Sequence, residues 1–320
     1  MTGFARYGVT PETLVLTDKG HERISTLEGQ EVKVWTGSEF EDTSVFKVGT
    51  DKKILRVTTT TGVELECSED HVFYHQPGYM PDKLVALEAS ELESGMRLLK
   101  SPSHPLITYG DKEFPHAYSH GYFTGSEKYQ RRHGVASRAA IFSARHPALE
   151  HLELDKEKTD KVNLHFVEGL PGPFELPVEA GYSLETRLEW LAGLTDAGIV
   201  KRKIKPKPIW HLYTYNWDFL VQLKLLFQTL GGDVRITKND DLCRAPYSIR
   251  ISHTVMTKLK QLNMKTVVTD IPDLPANVRR GIETPKIIAV EDAYRTSDVY
   301  NFVGTANGAA VFNGLYTASN

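Results

Sequence analysis

A chain of 320 residues is longer than one hydrophobic core usually serves, so its length points to two domains or to one domain with a large insertion. Hydrophobic residues at 40%, charged residues at 25%, 24 glycines and 16 prolines describe a globular protein rich in turns, which excludes a disordered or collagen-like chain. The net charge of -3, from 38 basic and 41 acidic side chains, gives no global mark of a nucleic-acid or membrane binder, so any such surface has to be local.

In chain order, the first hundred residues read as short strands. Leu14 to Leu16 precede the turn signal Asp18-Lys19-Gly20, Val32 and Val34 alternate with Glu31 and Lys33, and the pattern continues at Phe46 and Val48 and at Leu55 and Val57. Behind Gly62, the apolar Val63, Leu65 and Cys67 alternate with Glu64 and Glu66, which predicts a strand with one wet face and places Cys67 in the core. From about Pro115 the period lengthens. Leu184, Leu188, Leu191 and Leu194 predict a helix over 185–197, and Leu220, Leu223, Phe227 and Leu230 a second over 217–230 before Gly231-Gly232. Strands at 199–204, 209–215, 234–237 and 247–252 and a helix at 254–262 complete an α-β-β-α-β-β-α order, and short strands return at 285–290 and 298–316. Gly121 and Gly125, like Gly193 and Ala197, place small residues four apart on one helix face, where two backbones can approach closely.

The longest apolar run, Phe219 to Leu226, is broken by Gln222 and Lys224 and falls far short of the roughly 20 residues that a bilayer span requires. With no apolar stretch behind the single arginine of Met1 to Tyr7, the expectation is a cytoplasmic protein without a secretory signal. Cys67 and Cys243 stand far apart, with no CxxC and no nearby His pair, which argues against a disulfide framework or structural zinc.

Four segments in a fixed order carry a resemblance. Val9-Thr-Pro-Glu-Thr-Leu-Val-Leu-Thr-Asp-Lys-Gly20 looks like the opening block of an intein, and Gly62 to His71 like its second block, ending in Ser-x-x-His. Leu188 to Ala197 is similar to a helix motif of LAGLIDADG homing endonucleases, and Val299 to Phe302 with Asn313 to Asn320 to the closing intein blocks. The chain thus resembles an intein with an inserted LAGLIDADG endonuclease, in detail those of ribonucleotide reductases. The Ala-Ser-Asn ending resembles split DNA-polymerase inteins as well. The resemblance implies a mixed fold: an all-β Hint splicing domain of residues 8–110 and 283–320, interrupted by an α+β endonuclease-like domain of residues 111–282, with residues 1–7 left from the preceding extein.

It also implies chemistry at named positions. Splicing starts when a first Cys or Ser attacks the preceding carbonyl, and here that position is Gly8, behind Tyr7, so the autocatalytic first step has no nucleophile. Ser68 and His71 fall where the block's hydroxyl holds the junction and its imidazole serves as general acid. An isolated Ser-x-x-His would read as a surface turn; behind the alternating strand it reads as the block. Asn320 is the residue that would cyclise to cut the second junction, and Ser319 replaces the common penultimate His. The usual acid after Val-Tyr falls on Asn301 and the usual His on Asn307 or Gly308, none of which is an acid or base at neutral pH.

The endonuclease acids are altered in the same way. One motif places its acid on Ser126, beside Glu127, and the other on Gly198, with Asp196 at an earlier capping position. The magnesium that such carboxylates hold to activate water against a DNA phosphate is therefore doubtful, while splicing itself needs no cofactor. Lys201, Arg202, Lys203, Lys205 and Lys207, near Trp210, Tyr213, Tyr215 and Trp217, fit a basic strand surface along phosphates, and Arg131-Arg132-His133 would match them in the other half. A solvated face with an aromatic core edge is the plainer account of the same residues. The expected partners are the flanking exteins of a host such as ribonucleotide reductase and a duplex DNA target, with no membrane and a monomeric chain. A DNA-binding module without cleavage and a Hint-type autoprocessing domain are the alternatives.

Overall fold

The computed structural model describes residues 7–78, 83–125, 176, 178–202, 208–238, 246–273, 284–302, 305 and 308–319. Strands β1 (Leu14–Thr17), β2 (Gly20–Arg23), β3 (Glu31–Trp35), β4 (Phe40–Thr59), β5 (Glu64–Ser68), β6 (Val72–His75) and β7 (Val85–Glu88) come first. Helices α1 (Ala117–Gly125) and α2 (Leu184–Gly198) follow, then β8 (Val200–Arg202), β9 (Ile209–Thr214), α3 (Trp217–Thr229), β10 (Arg235–Lys238), β11 (Tyr247–Ile251) and α4 (His253–Gln261). The chain returns to strands at β12 (Ile287–Phe302), β13 (Ala309–Phe312) and β14 (Leu315–Ala318). Two compact units result: Met1–Ile107, Lys224–Thr237 and Arg279–Asn320 form one, Thr108–Leu223 and Lys238–Val278 the other.

The first unit is built on a sheet of order β12-β4-β3-β1-β13-β14, with β2 on β1 and β5 on β4. Late strands enclose the early ones in it, β12 at one end and β13-β14 at the other: Val15 faces Phe312 across β1 and β13, and Val9 bridges to both Tyr300 and Cys67. The alternation read behind Gly62 holds, since Leu65 and Cys67 are fully buried and pack with Val9, Val57, Phe73 and Phe312. Two stretches differ from expectation. Residues 40–59 and 287–302 were expected as several short strands, and each is one long strand, paired with the other. The pairing slips at several points, including Asp292/Thr296 and Val299/Tyr300. Each slip moves the following side chains to the opposite face, so the apolar alternation breaks although the strand continues.

In the second unit, α2 and α4 each open on a serine cap. Ser183 Oγ accepts the Thr186 N–H at 3.1 Å to open α2, and Ser252 Oγ accepts that of Val255 at 3.3 Å to open α4. Strands β8 and β11 flank β9 in antiparallel register, Val200 and Arg250 both opposite His211. No described helix is long and apolar enough to cross a membrane.

Candidate functional site

The segment from Gly8 to Thr10 runs between the end of β5 and the end of β12. Val9 exchanges backbone hydrogen bonds with Tyr300 at 3.0 and 2.9 Å, and on the other side Ser68 N–H donates to the Gly8 carbonyl at 2.9 Å and Thr10 N–H to that of Glu66 at 3.1 Å. This fixes the Tyr7–Gly8 peptide beside two side chains. The Gly8 N–H donates to Ser68 Oγ at 3.0 Å, and the Tyr7 carbonyl accepts from Asn301 Nδ2 at 3.0 Å. The Asn301 amide is itself oriented, because its Oδ1 accepts the Phe302 N–H at 2.9 Å. Both ends of one peptide group are thus held by buried side chains, with Ser68 and Asn301 both at 0% exposure.

Gly8 has no room for a side chain in this backbone. A Cβ there would lie 2.4 Å from the Tyr300 carbonyl oxygen and 2.9 Å from its carbon. The position that the resemblance assigns to a nucleophile is therefore filled by the neighbouring strand.

His71 follows the turn that Ser68 opens, its N–H donating to the Ser68 carbonyl at 2.9 Å. The imidazole is fully buried, edge-on to the rings of Phe73 at 5.2 Å and Tyr7 at 5.5 Å. Thr317 Oγ1 donates to the Val72 carbonyl at 2.7 Å and lies 3.4 Å from His71 Nε2. With the hydroxyl proton committed to Val72, Nε2 carries the ring proton and donates, leaving Nδ1 unprotonated and, among the described residues, without a partner. Burial pushes the imidazole down to about 3, against the weaker pull of Asp70. His71 is accordingly neutral at pH 7, its one ring proton facing Thr317. Burial, with Tyr74 and Asp70 adding to it, pushes the Tyr7 phenol up to about 12.

At the other chain end, Ser319 N–H donates to the Gly308 carbonyl at 3.0 Å and its hydroxyl meets Thr305 Oγ1 at 2.6 Å. Gly308 also accepts from the Tyr74 hydroxyl at 3.1 Å. Asn320 and Asn307 lie outside the described residues.

In the second unit, α1 and α2 meet through the small residues singled out in the sequence. A Cβ on Gly121 would lie 1.9 Å from the Trp190 carbonyl oxygen, one on Gly193 2.0 Å from that of Tyr118, and one on Gly198 2.6 Å from that of Gly125. Asp196, near the end of α2, is fully occupied. Its carboxylate accepts the backbone N–H groups of Val267, Val268 and Thr269 at 2.6, 3.1 and 2.7 Å and the Tyr118 hydroxyl at 2.9 Å. Four donors exhaust its acceptor sites, and Gly198 offers no side chain. Ser126 and Glu127 lie outside the described residues; among the described ones, Asp196 and Gly198 leave no free carboxylate for a magnesium ion.

Of the basic residues, Lys201 Nζ lies 5.2 Å above the Trp210 ring and donates to the Asp270 carbonyl at 3.2 Å, and Arg202 pairs opposite Ile209. Lys203, Lys205, Lys207 and the Arg131-Arg132-His133 run lie outside the described residues. Trp210 is wholly buried and belongs to the core, whereas His211 and Tyr213, its outward neighbours on β9, stack at 5.7 Å, and Tyr215 is exposed.

No family model matches the chain. The large subunit of ribonucleoside-diphosphate reductase from Invertebrate iridescent virus 6 is 28% identical over 344 aligned residues. That match covers 97% of this chain but 35% of the viral protein, so the chain spans about a third of the length of its curated relative. Among solved structures, a mutant Ssp DnaB mini-intein aligns with 98% of this chain and 99% of its own at 10% identity and a TM-score of 0.37. The gp41-1 intein aligns with 30% of this chain and 70% of its own at 27% identity and a TM-score of 0.24. Both of these solved structures are inteins.

Of the intein positions named from sequence, the structure brings Gly8, Ser68 and Asn301 into direct contact around one peptide and joins His71 to them through the Tyr7 ring. Ser319 lies two residues beyond Thr317, the hydroxyl that meets His71. Sequence reasoning missed the roles of Thr317 and Tyr74. Tyr74 stands in no motif, and Thr317 lies in the closing block without a role of its own there; each is placed by strand pairing that only the folded sheet defines.

Proposed function

We propose that this chain is an intein-type splicing element of a ribonucleotide reductase-like host, arrested before its first step. The grip on the Tyr7–Gly8 peptide carries this reading. An N–H bound by Ser68 Oγ and a carbonyl bound by Asn301 Nδ2 is the arrangement a junction needs. The amide donor stands where negative charge develops when the carbonyl is attacked, and the hydroxyl steadies the nitrogen that must leave. What is missing is the attacking group. Ser68 does not replace it: as the acceptor of the Gly8 N–H, its oxygen lies on the amide edge rather than above the carbonyl carbon.

The exteins on either side of the chain are the partners of this reading, and splicing through these residues draws on no cofactor. The test is the full chain with Gly8→Cys, set between two reporter proteins, with a Cys opening the second. A junction-competent pocket yields thiol-cleavable or ligated species on a denaturing gel, whereas Gly8→Ala yields none. Absence of every cleaved or ligated species from the Cys version, with the chain folded, overturns the reading.

For the second unit we propose a LAGLIDADG-type insert that has lost its cutting chemistry. The close α1–α2 pairing through Gly121 and Gly193 supports the insert, and the saturated Asp196 carboxylate beside a side-chain-free Gly198 supports the loss. The outward His211–Tyr213 stack on β9, in line with Arg250, favours a surface that holds duplex DNA without cleaving it. Affinity for duplex DNA that falls steeply with salt supports that surface, and no binding at low salt removes it.

A further inference from the structure

We propose that Gln228 is a positioning residue for the carboxy-terminal hairpin, acting through the Gly314 carbonyl to hold the strand that presents Thr317 to His71. Its relevance to cleavage rests on reading the chain ends as splice junctions. Lys224–Thr237 lies far in sequence from the rest of the first unit, yet folds as part of it. The end of α3 is unusual in burying polar side chains: Lys224, Gln228 and Thr229 are at most 2% exposed.

Those side chains are committed to a small network. Lys224 Nζ donates to Asp233 Oδ1 and to the Val234 carbonyl at 2.7 Å, and Lys100 and His104 face the other oxygen of Asp233 at 3.9 and 4.0 Å. Gln228 Nε2 donates to Asp233 Oδ1 at 3.2 Å and to the Gly314 carbonyl at 3.1 Å. Its Oε1 is buried with no partner among the described residues, so the amide's orientation is set by its two donors. Asp233, beside the ammonium groups of Lys224 and Lys100, is a fixed anion that aims one of the two Nε2 hydrogens; the other reaches Gly314. Further along, Arg235 Nε donates to the Thr60 carbonyl at 3.2 Å, which anchors the segment independently.

The receiving hairpin needs such a hold. β14 is the outermost strand of its sheet, hydrogen-bonded along one side, to β13. The turn that joins them, Asn313-Gly314, has both residues at positive φ, 48° and 81°, the requirement of a two-residue hairpin. Asn313 ties the turn to strands on one side through Leu14 N–H at 2.8 Å and the Glu64 carbonyl at 3.1 Å. Gln228 holds it on the other, three residues before Thr317.

The experiment uses the full chain with Gln228→Met and, separately, Gln228→Glu. In Gln228→Met, amide exchange over 309–319 quickens about fivefold, the effect of losing one net hydrogen bond, and the His71 ring resonances shift, while exchange near Thr60 stays at the parent rate. Gln228→Glu keeps the shape and loses the donor at pH 7, but regains an O–H donor when protonated. Its exchange, compared with the parent at each pH, therefore returns toward parental as pH falls; a side chain that only fills space shows no such profile. Unchanged exchange over 309–319 in both variants, or an equal increase throughout the first unit, overturns the proposal. In a chain extended past Asn320, cleavage after Asn320 slows by a similar factor. If the parent never cleaves while the hairpin still loosens in the variants, the positioning role stands and the splice-junction reading falls.

Discussion

Asn301 donates its side-chain amide to the carbonyl of Tyr7 at 3.0 Å, across 294 residues of sequence. A carboxylate at that position has no proton to give at neutral pH and would face the carbonyl oxygen directly. Asn301→Asp is therefore expected to destabilise the first unit by about 1–3 kcal/mol, the cost of leaving a buried acceptor unsatisfied. Urea unfolding at pH 7 measures it, and a variant as stable as the parent contradicts the contact.

Gly8 meets the Tyr300 backbone so closely that even a methyl group forces a strand to move. Gly8→Ala is expected to cost about 1–3 kcal/mol, as overpacking does in well-filled interiors. Gly8→Cys pays a similar penalty unless the strands part, so its stability measured beside its cleavage shows whether the junction opens to accept a nucleophile.

Two imidazoles make the first unit sensitive to acid. His71 and His21 are both fully buried and pushed down to about 3, burial being the main cause in each. The unfolded chain protonates them near 6.5 and the folded chain near 3, so in that window the unfolded state holds more protons and stability falls as the pH drops. With two such groups the slope approaches about 2.7 kcal/mol per pH unit at its steepest. Denaturant unfolding between pH 4 and pH 7 reads the slope, and His21→Gln is expected to remove about half of it. A flat profile over that range rules out the buried neutral pair.

Asp196 is the anchor of the 267–269 loop. Asp196→Asn replaces an acceptor with an amide whose N–H₂ confronts backbone donors, and amide exchange at Val267, Val268 and Thr269 should quicken by at least about tenfold. Magnesium added to the parent chain should leave its melting temperature unchanged, since a carboxylate already receiving four donors has nothing to offer the ion.

What the sequence made legible was local. Leu65 and Cys67 announce the inward face of β5 because alternation survives over the whole strand, and Gly121 and Gly193 announce the helix contact because small residues at helical spacing permit close backbones. The lengths of β4 and β12 were hidden, since register slips interrupt the same alternation. Trp210, weighed between a basic surface and an aromatic core edge, is turned inward by the alternation along β9, and His211 and Tyr213 outward. The links from Asn301 to Tyr7, from Thr317 to His71 and from Gln228 to Gly314 had no signature. Each joins side chains whose proximity depends on how distant strands pair, and no period or motif in one segment encodes that.

The partnership of β1 with β13 has a consequence for synthesis. Leu14 N–H is bound by Asn313 Oδ1, a partner 299 residues away, so β1 waits for all of that intervening stretch before its sheet can close. During translation β1 is left with an open edge on the ribosome, and the emergence of β13 and the Asn313-Gly314 turn decides when the sheet locks together.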